Sequence, residues 1–363
     1  MQKATRFGDN RANLSEIPLE KTMTLRPLAL MLVLPFTVPA QTVTELTTGT
    51  SALLQAISSP DGRVVWMSGH AGAVLRSTDG GSTWQSFQVP GADSLQFRDV
   101  HGASADVAWL LSAGPGDASR IYHTRDGGRT WSMQFRNSDP DAFYDCFAFF
   151  DQRRAIAFGD ASRNRTNLLF TRDGGANWNL LPPTSVPAPL EGEGAFAASG
   201  GCVATYGQRF GWVALGGPEA RLFRSDNSGA TWSVHSTPMV KGAAAGMTAV
   251  DFRDAENGIA VGGRIDNYSS DTASAAVAIT HDGGRNWVLA NRPSRAGALF
   301  GVTMLPAVGN EVAIAAGPGG LFLTRDNGTS WTVLDERSFW SVASNGRTAW
   351  ASGPRGTAVR IEF

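Results

Sequence analysis

Two sets of residues in this chain could do chemistry. The first recurs six times as [ST]-x-[DN]-x-G-x-x-W, the first copy being Ser77 to Trp84 (STDGGSTW). Its acidic or amide residue and its tryptophan are Asp79 and Trp84, Asp126 and Trp131, Asp173 and Trp178, Asn227 and Trp232, Asp282 and Trp287, and Asp326 and Trp331. Six carboxylates or amides on turns could bind metal or sugar. A site is normally made once, whereas this pattern is made in every unit, so we read it as structure. Asp or Asn before Gly is a hairpin signal: the side chain bonds nearby amides, and Gly accepts positive φ. Ser or Thr ends the incoming strand. The Trp opens the outgoing strand and is expected to anchor it with a large buried ring.

The second set is scattered through longer, non-repeating segments. Its acids are Asp160, Glu191, Glu193 and Asp266, its arginines are Arg163, Arg165, Arg264, Arg292, Arg295 and Arg355, and it includes Tyr268. Two carboxylates flanking a glycosidic bond can hydrolyse it. Arginine keeps its charge and offers a planar fork of donors, which suits carboxylates on a partner. Arg98, Asp99, His101, Tyr144, Asp145, Arg253 and Asp254 lie near short apolar runs and could point into a central channel. No HExxH, CxxC, P-loop or GxSxG pattern occurs, so no metal or cofactor is expected.

The spacing of the turns says what must position these residues. Successive motif tryptophans are 47, 47, 54, 55 and 44 residues apart. A period of roughly 40–50 residues is that of a repeat architecture. Each motif follows a short strand, such as Ile121-Tyr122-His123. Upstream of that lies a more apolar strand, such as VAWLLSA at 107–113. Further upstream is a candidate innermost strand: 53–57, 97–101, 146–150, 248–252, 302–305 and 340–343. The apolar and short strands recur seven times, the last copy having no motif after it. The orphan segment Thr42–Leu46 resembles the outer strands and is expected to close the seventh unit, removing a sheet edge. The expected fold is all-β: a single seven-bladed β-propeller of four-stranded antiparallel blades spanning 41–363, at about 46 residues per blade.

In such a blade the motif turn shares a face with the turn between strands 1 and 2. The long segments 114–119, 160–167 and 264–275 (between strands 2 and 3) fall on the opposite face, as do 182–194, 237–246 and 291–298 (between blades). Variable loops on one face of a rigid scaffold are where binding usually resides. Glu191 to Ser199 (EGEGAFAAS) is the least loop-like of these stretches. It could bring Glu191 or Glu193 to a channel mouth, or be a tight blade crossing.

The N-terminus reads as a targeting segment. After Met23 come a short basic region and an apolar run, Leu28 to Val38, with a small-residue cleavage site ending at Ala40. The expected start is Met23, with 1–40 an extension plus signal peptide, and the product secreted or periplasmic. The apolar run is too short to span a bilayer. Cys146 and Cys202 are 56 residues apart; they could pair across neighbouring blades or stay as buried thiols. A formal net charge of −1 gives no electrostatic case for nucleic acid. A monomer with a protein or carbohydrate partner is expected.

The repeated motif resembles the Asp-box, or BNR repeat, of sialidases and many other β-propellers. Sialidases also carry an early Arg-Ile-Pro motif; here Arg264-Ile265 is followed by Asp266. Over Gln41 to Phe363 the chain resembles exported single propellers related to the photosystem II assembly and stability factor. That resemblance implies a protein-binding scaffold. The alternative it leaves is a glycoside hydrolase using loop-face carboxylates, or a lectin.

Overall fold

The computed structural model describes residues 41–363. The expected signal peptide and the start at Met23 lie outside the described residues. Seven antiparallel sheets form a ring of blades, and the first strand of each blade touches the first strand of the next. Blade 1 runs through Leu54–Ser58, Val65–Gly69, Val74–Ser77 and Gln85–Phe87. Blade 4, whose first strand was not legible in the sequence, begins at Val203–Tyr206. Blade 5 carries a fifth, two-residue strand, Gly216–Gly217, donated by the loop of blade 4.

Blade 7 is closed as expected. Its first three strands are Ser341–Ser344, Ala349–Ser352 and Ala358–Glu362, and Thr42–Glu45 pairs antiparallel with the last. Val43 stands opposite Ile361, and the Leu46 amide donates to the Ala358 carbonyl at 2.9 Å. The first and last strands of the described residues therefore share one sheet.

The cores follow from the strand order. Second strands are apolar on both faces because each is flanked by two strands and covered by neighbouring blades. Val65–Gly69, Ala108–Ser112 and Ala313–Gly317 are buried at every position. Fourth strands are outermost, short and mostly exposed.

The six repeated turns share one hydrogen-bond pattern. In blade 2, the Thr124 hydroxyl donates to Asp126 Oδ1 at 2.9 Å and accepts the Gly128 amide at 2.8 Å. Asp126 Oδ1 accepts the Thr130 amide at 2.9 Å, and Oδ2 accepts the Thr130 hydroxyl at 2.6 Å. These bonds from Thr130 hold the Asp126 carboxyl at about 2, and those from Thr83 do the same for Asp79. Asn227 keeps the pattern with an amide: its Oδ1 accepts the Thr231 amide and its Nδ2 donates to the Thr231 hydroxyl.

The motif tryptophans depart from expectation. Trp232 and Trp287 are buried, but Trp84, Trp131, Trp178 and Trp331 are only half-buried. Each ring opens the short outermost strand of its blade; Trp131, Trp232 and Trp287 donate to the carbonyl of a glycine in their own turn, at 3.1, 3.0 and 3.1 Å, whereas Trp331 donates to the Asn291 carbonyl at 2.7 Å. The fully buried rings sit on second strands instead: Trp66, Trp212 and Trp350. There the indole reaches across to the next blade. Trp109, Trp212 and Trp350 donate to the carbonyls of Gly174, Gly283 and Gly80, the first turn glycine of blades 3, 5 and 1. The turns therefore act as joints between blades as well as ends of strands.

Candidate functional site: a plugged channel with a loop-side chamber

The connection from blade 3 to blade 4 enters the channel. Beyond Leu181 it runs along the rim and makes a turn in which Glu193 bonds Arg221 in a buried ion pair. It then crosses the axis as Gly194 to Gly201. Its contacts reach round the ring. The Ala197 carbonyl accepts Gln55 Nε2 of blade 1 at 3.0 Å and Arg98 Nη1 of blade 2 at 3.4 Å. The Ser199 hydroxyl donates to the Phe300 carbonyl of blade 6 at 2.6 Å, and its own carbonyl accepts the Ser341 hydroxyl of blade 7 at 3.0 Å. The Gly201 carbonyl accepts the Val250 amide of blade 5 at 2.9 Å. Small residues are needed for this passage. A Cβ on Gly194 would lie 2.0 Å from Asp160 Oδ1, and one on Gly200, at φ +76°, would lie 2.5 Å from Asp99 Oδ1. Cys202 ends the segment and is disulfide-bonded to Cys146 on the first strand of blade 3, with Cα atoms 5.9 Å apart. Both cysteines are fully buried.

This plug divides the channel. The turn-side half, about 510 Å³, has Ser199, Gly200 and Gly201 in its floor and Asp99, His101, Asp251 and Arg253 in its walls. Its acids already serve the fold: Asp99 accepts the Phe147 amide at 2.8 Å and Asp251 the Met304 amide at 2.7 Å, each in the next blade. His101 stacks on Phe149 and is held at about 4 by burial. Arg253 and Asp254 lie after the first strand of blade 5, on the side of the repeated turns, and Asp254 caps its own turn.

The loop-side half is a chamber of about 380 Å³ floored by Ala195 to Ala198. Its walls differ in kind. Blades 1 to 3 supply Gln55, His70, Arg98, Asp145 and Asp160; blades 5 to 7 supply Ile265, Tyr268, Phe300 and Trp340. Bulges aim the polar set. The ladder between the first two strands slips at Gln55, at Arg98 and at Asp145, each time at the loop end of the first strand. A bulge leaves one residue unpaired and re-aims its side chain, and here each turns into the chamber. Thr248 is the same bulge in blade 5, but its hydroxyl bonds the Leu299 carbonyl instead.

The chamber is electrostatically unbalanced. Asp145 is 1% exposed, and its Oδ2 has no hydrogen-bond donor among the described residues. Burial first, then repulsion from Asp160, holds its carboxyl well above the usual range, and Arg98 only partly offsets this. Asp160 is raised to about 6, chiefly by burial, against the amide of Ala195 at 3.1 Å. Arg98 directs its donors to the Gln96 amide oxygen and the Ala197 carbonyl. His70 bonds Gln55 Oε1 at 2.7 Å, and burial and Arg98 lower its affinity for a second proton.

The residues singled out from sequence are distributed as follows. Asp160 and Tyr268 line this chamber, and Glu193 shares a smaller cavity of about 270 Å³ with Asp160. Arg163 pairs with Asp139 at 2.8 Å and Arg264 with Asp266 at 2.8 Å, both on the exposed rim. Arg292 clamps the blade 5 loop through Asp271 and the carbonyls of Asp271 and Gly297. Arg295 bonds the Gly319 carbonyl and Glu336. Arg165 stands 3.9 Å from Asp139. Arg355 and Glu191 are exposed, and neither has a side-chain partner among the described residues. His70, Gln55, Phe196, Phe300 and Trp340 were missed. Among the described residues no group of three His, Cys, Asp or Glu is placed to hold a metal ion, and no helix is long and apolar enough to cross a membrane.

Seven blades, closed by the N-terminal strand and plugged between blades 3 and 4, define a β-propeller with a loop-side chamber. Residues 40–259 match the DUF6242 beta propeller domain, and the chain belongs to that family. No curated protein matches it. Among solved structures it is similar to YCF48 bound to D1 peptide: 16% identity and TM-score 0.62, over 89% of this chain and 97% of that one. It is similar to YCF48 from Cyanidioschyzon merolae at 16% and 0.62, over 88% and 98%. It is also similar to virginiamycin B lyase from Staphylococcus aureus at 12% and 0.63, over 89% and 100%. A binding protein and a lyase on one scaffold make the likeness one of fold.

Proposed function

We propose that the chain is an exported scaffold that binds a protein partner on its loop face, and that the repeated turns are Asp-boxes serving structure. The observation that carries this reading is the asymmetry of the two faces. The turn face is built of short, near-identical elements whose acids are consumed by their own backbone. The loop face carries most of the long insertions, a chamber, and rim arginines at Arg163, Arg165, Arg264 and Arg355. That a YCF48 structure of the same architecture holds a peptide supports a protein as the partner.

The test is a pull-down from native extract. Reversing Arg163, Arg165, Arg264 and Arg355 together to Glu should abolish capture of the partner while the melting midpoint stays near its starting value. Arg292 is left alone because it holds its own loop together. Capture that survives reversal, beside glycan hydrolysis lost in Asp160→Asn, would replace the scaffold with a hydrolase.

Export is supported by the basic-apolar N-terminus and by the buried disulfide, since such bonds persist in oxidising compartments. N-terminal sequencing of the protein from the producing cell should begin near Gln41; an intact cytoplasmic chain starting at Met1 would refute it.

A further inference from the structure

The geometry points to the loop-side chamber as a binding site for an ammonium group carried on an apolar stem, its charge meeting Asp145 and Asp160 and its stem lying against Tyr268, Phe300 and Trp340. The inference stands on the chamber and does not depend on what the outer rim binds.

Three features converge on this ligand. The first is an unmet acceptor: Asp145 lines the cavity, and its buried Oδ2 has no donor among the described residues. A buried acceptor left without a partner is costly, so a donor arriving there is favoured. The second is charge. Two carboxyl groups face one guanidinium, Arg98, and His70 is biased towards its neutral form, so the polar wall needs a further positive charge before both acids can be ionised together. Neither a neutral hydroxyl nor an anion supplies it. The third is the opposite wall. Phe300 and Trp340 have centroids 4.5 Å apart, and Tyr268 lies 5.7 Å from Phe300 and 6.2 Å from Trp340. Such a cluster of rings accepts methylenes by burial and stabilises a nearby cation through the ring faces. Phe196, on the plug, and Phe143 complete the apolar lining. About 380 Å³ fits a small ligand or one long side chain. The ammonium could belong to a free alkylamine or to a lysine side chain of a partner; the chamber reads the same chemistry in both.

The experiment is calorimetric titration of the full chain with n-butylammonium, with 1-butanol and butyrate as neutral and anionic matches. Butylammonium should bind and the two matches should not. Asp145→Asn should weaken binding about tenfold or more, the loss of a charge-assisted contact, and Trp340→Leu should weaken it several-fold. Glu191→Gln, on the exposed rim, should leave it unchanged. Should Asp145→Asn fail to fold, as judged by its melting curve, Asp160→Asn takes its place with the same expected loss. A short peptide with one lysine, beside its norleucine counterpart, distinguishes the sources. Tighter binding of the lysine peptide than of butylammonium assigns the group to a protein, and the reverse assigns it to a small amine. Butanol binding as well as butylammonium, an oligosaccharide occupying the chamber in its place, or amide variants that bind like the parent would overturn the proposal.

Discussion

Removing residues 41–46 should lower the unfolding midpoint of the whole ring by about 10 °C or more. The deleted strand is four residues long, yet it supplies the outer edge of blade 7 and pairs with the last strand, Ala358–Glu362. Leu46, 7% exposed, packs in a cluster with Leu54, Met67 and Trp350, so it belongs to blades 1 and 7 together. Loss of a buried leucine costs about 2–5 kcal/mol. Each ladder bond to Ala358–Glu362 adds about 1 kcal/mol. The sum is comparable to the roughly 5–15 kcal/mol by which whole domains are stable. The bare edge of the Ala358–Glu362 strand would also invite pairing between molecules. Thermal unfolding followed by circular dichroism should show the midpoint reduced by about 10 °C or more, with aggregation on heating. A midpoint within a degree or two of the parent would mean that the strand only decorates the ring.

The second large effect is expected from the disulfide. Cys146 and Cys202 close a loop spanning a sequence separation of 56 residues that contains three strands of blade 3 and the whole plug. For a loop of that length the chain-entropy estimate is about 4 kcal/mol. The bond also pins the plug beside Asp145. Replacing both cysteines by alanine should therefore lower the melting midpoint and raise the rate of amide exchange at Ala197 and Ser199 more than in blades 1 or 6. Uniform exchange throughout the ring would show that the bond stabilises only globally.

How much of this was legible in the sequence follows from periodicity. Anything repeated in every blade was visible: the turns, the apolar second strands, and the closing strand, inferred from a surplus of inner strands over outer ones. What occurs once was hidden. Blade 4's first strand, Val203–Tyr206, follows a Gly-rich crossing and carries Thr205 and Tyr206 half-buried or exposed, so no apolar run announced it. The motif tryptophans were placed too deep because a large ring in a repeat suggests a core, whereas the rim position needs only one covered face. Arg98 and Asp145 were placed near a central channel from the sequence, but the set they form with Gln55 was hidden for a geometrical reason. Gln55, Arg98 and Asp145 each stand second in a first strand, a spacing that could have been aligned by hand. That they share a bulge, and hence point inward, is a property of the ladder. Glu193 illustrates the converse. Its surroundings marked it for chemistry, and Arg221, 28 residues on in blade 4, takes up both of its oxygens.

The plug changes what the ring is as an object. An open propeller is a tube, and a solute entering one mouth can leave by the other. Here two cups stand back to back on a floor one chain thick. Ala197 faces one and Ser199 the other, two residues apart on the same strip. The strip lines both cups, Ser199 to Gly201 on one side and Ala195 to Ala198 on the other. A molecule seated in one cup and a molecule seated in the other therefore press on opposite sides of a single membrane-like partition, and any influence of the first on the second must be returned in equal measure.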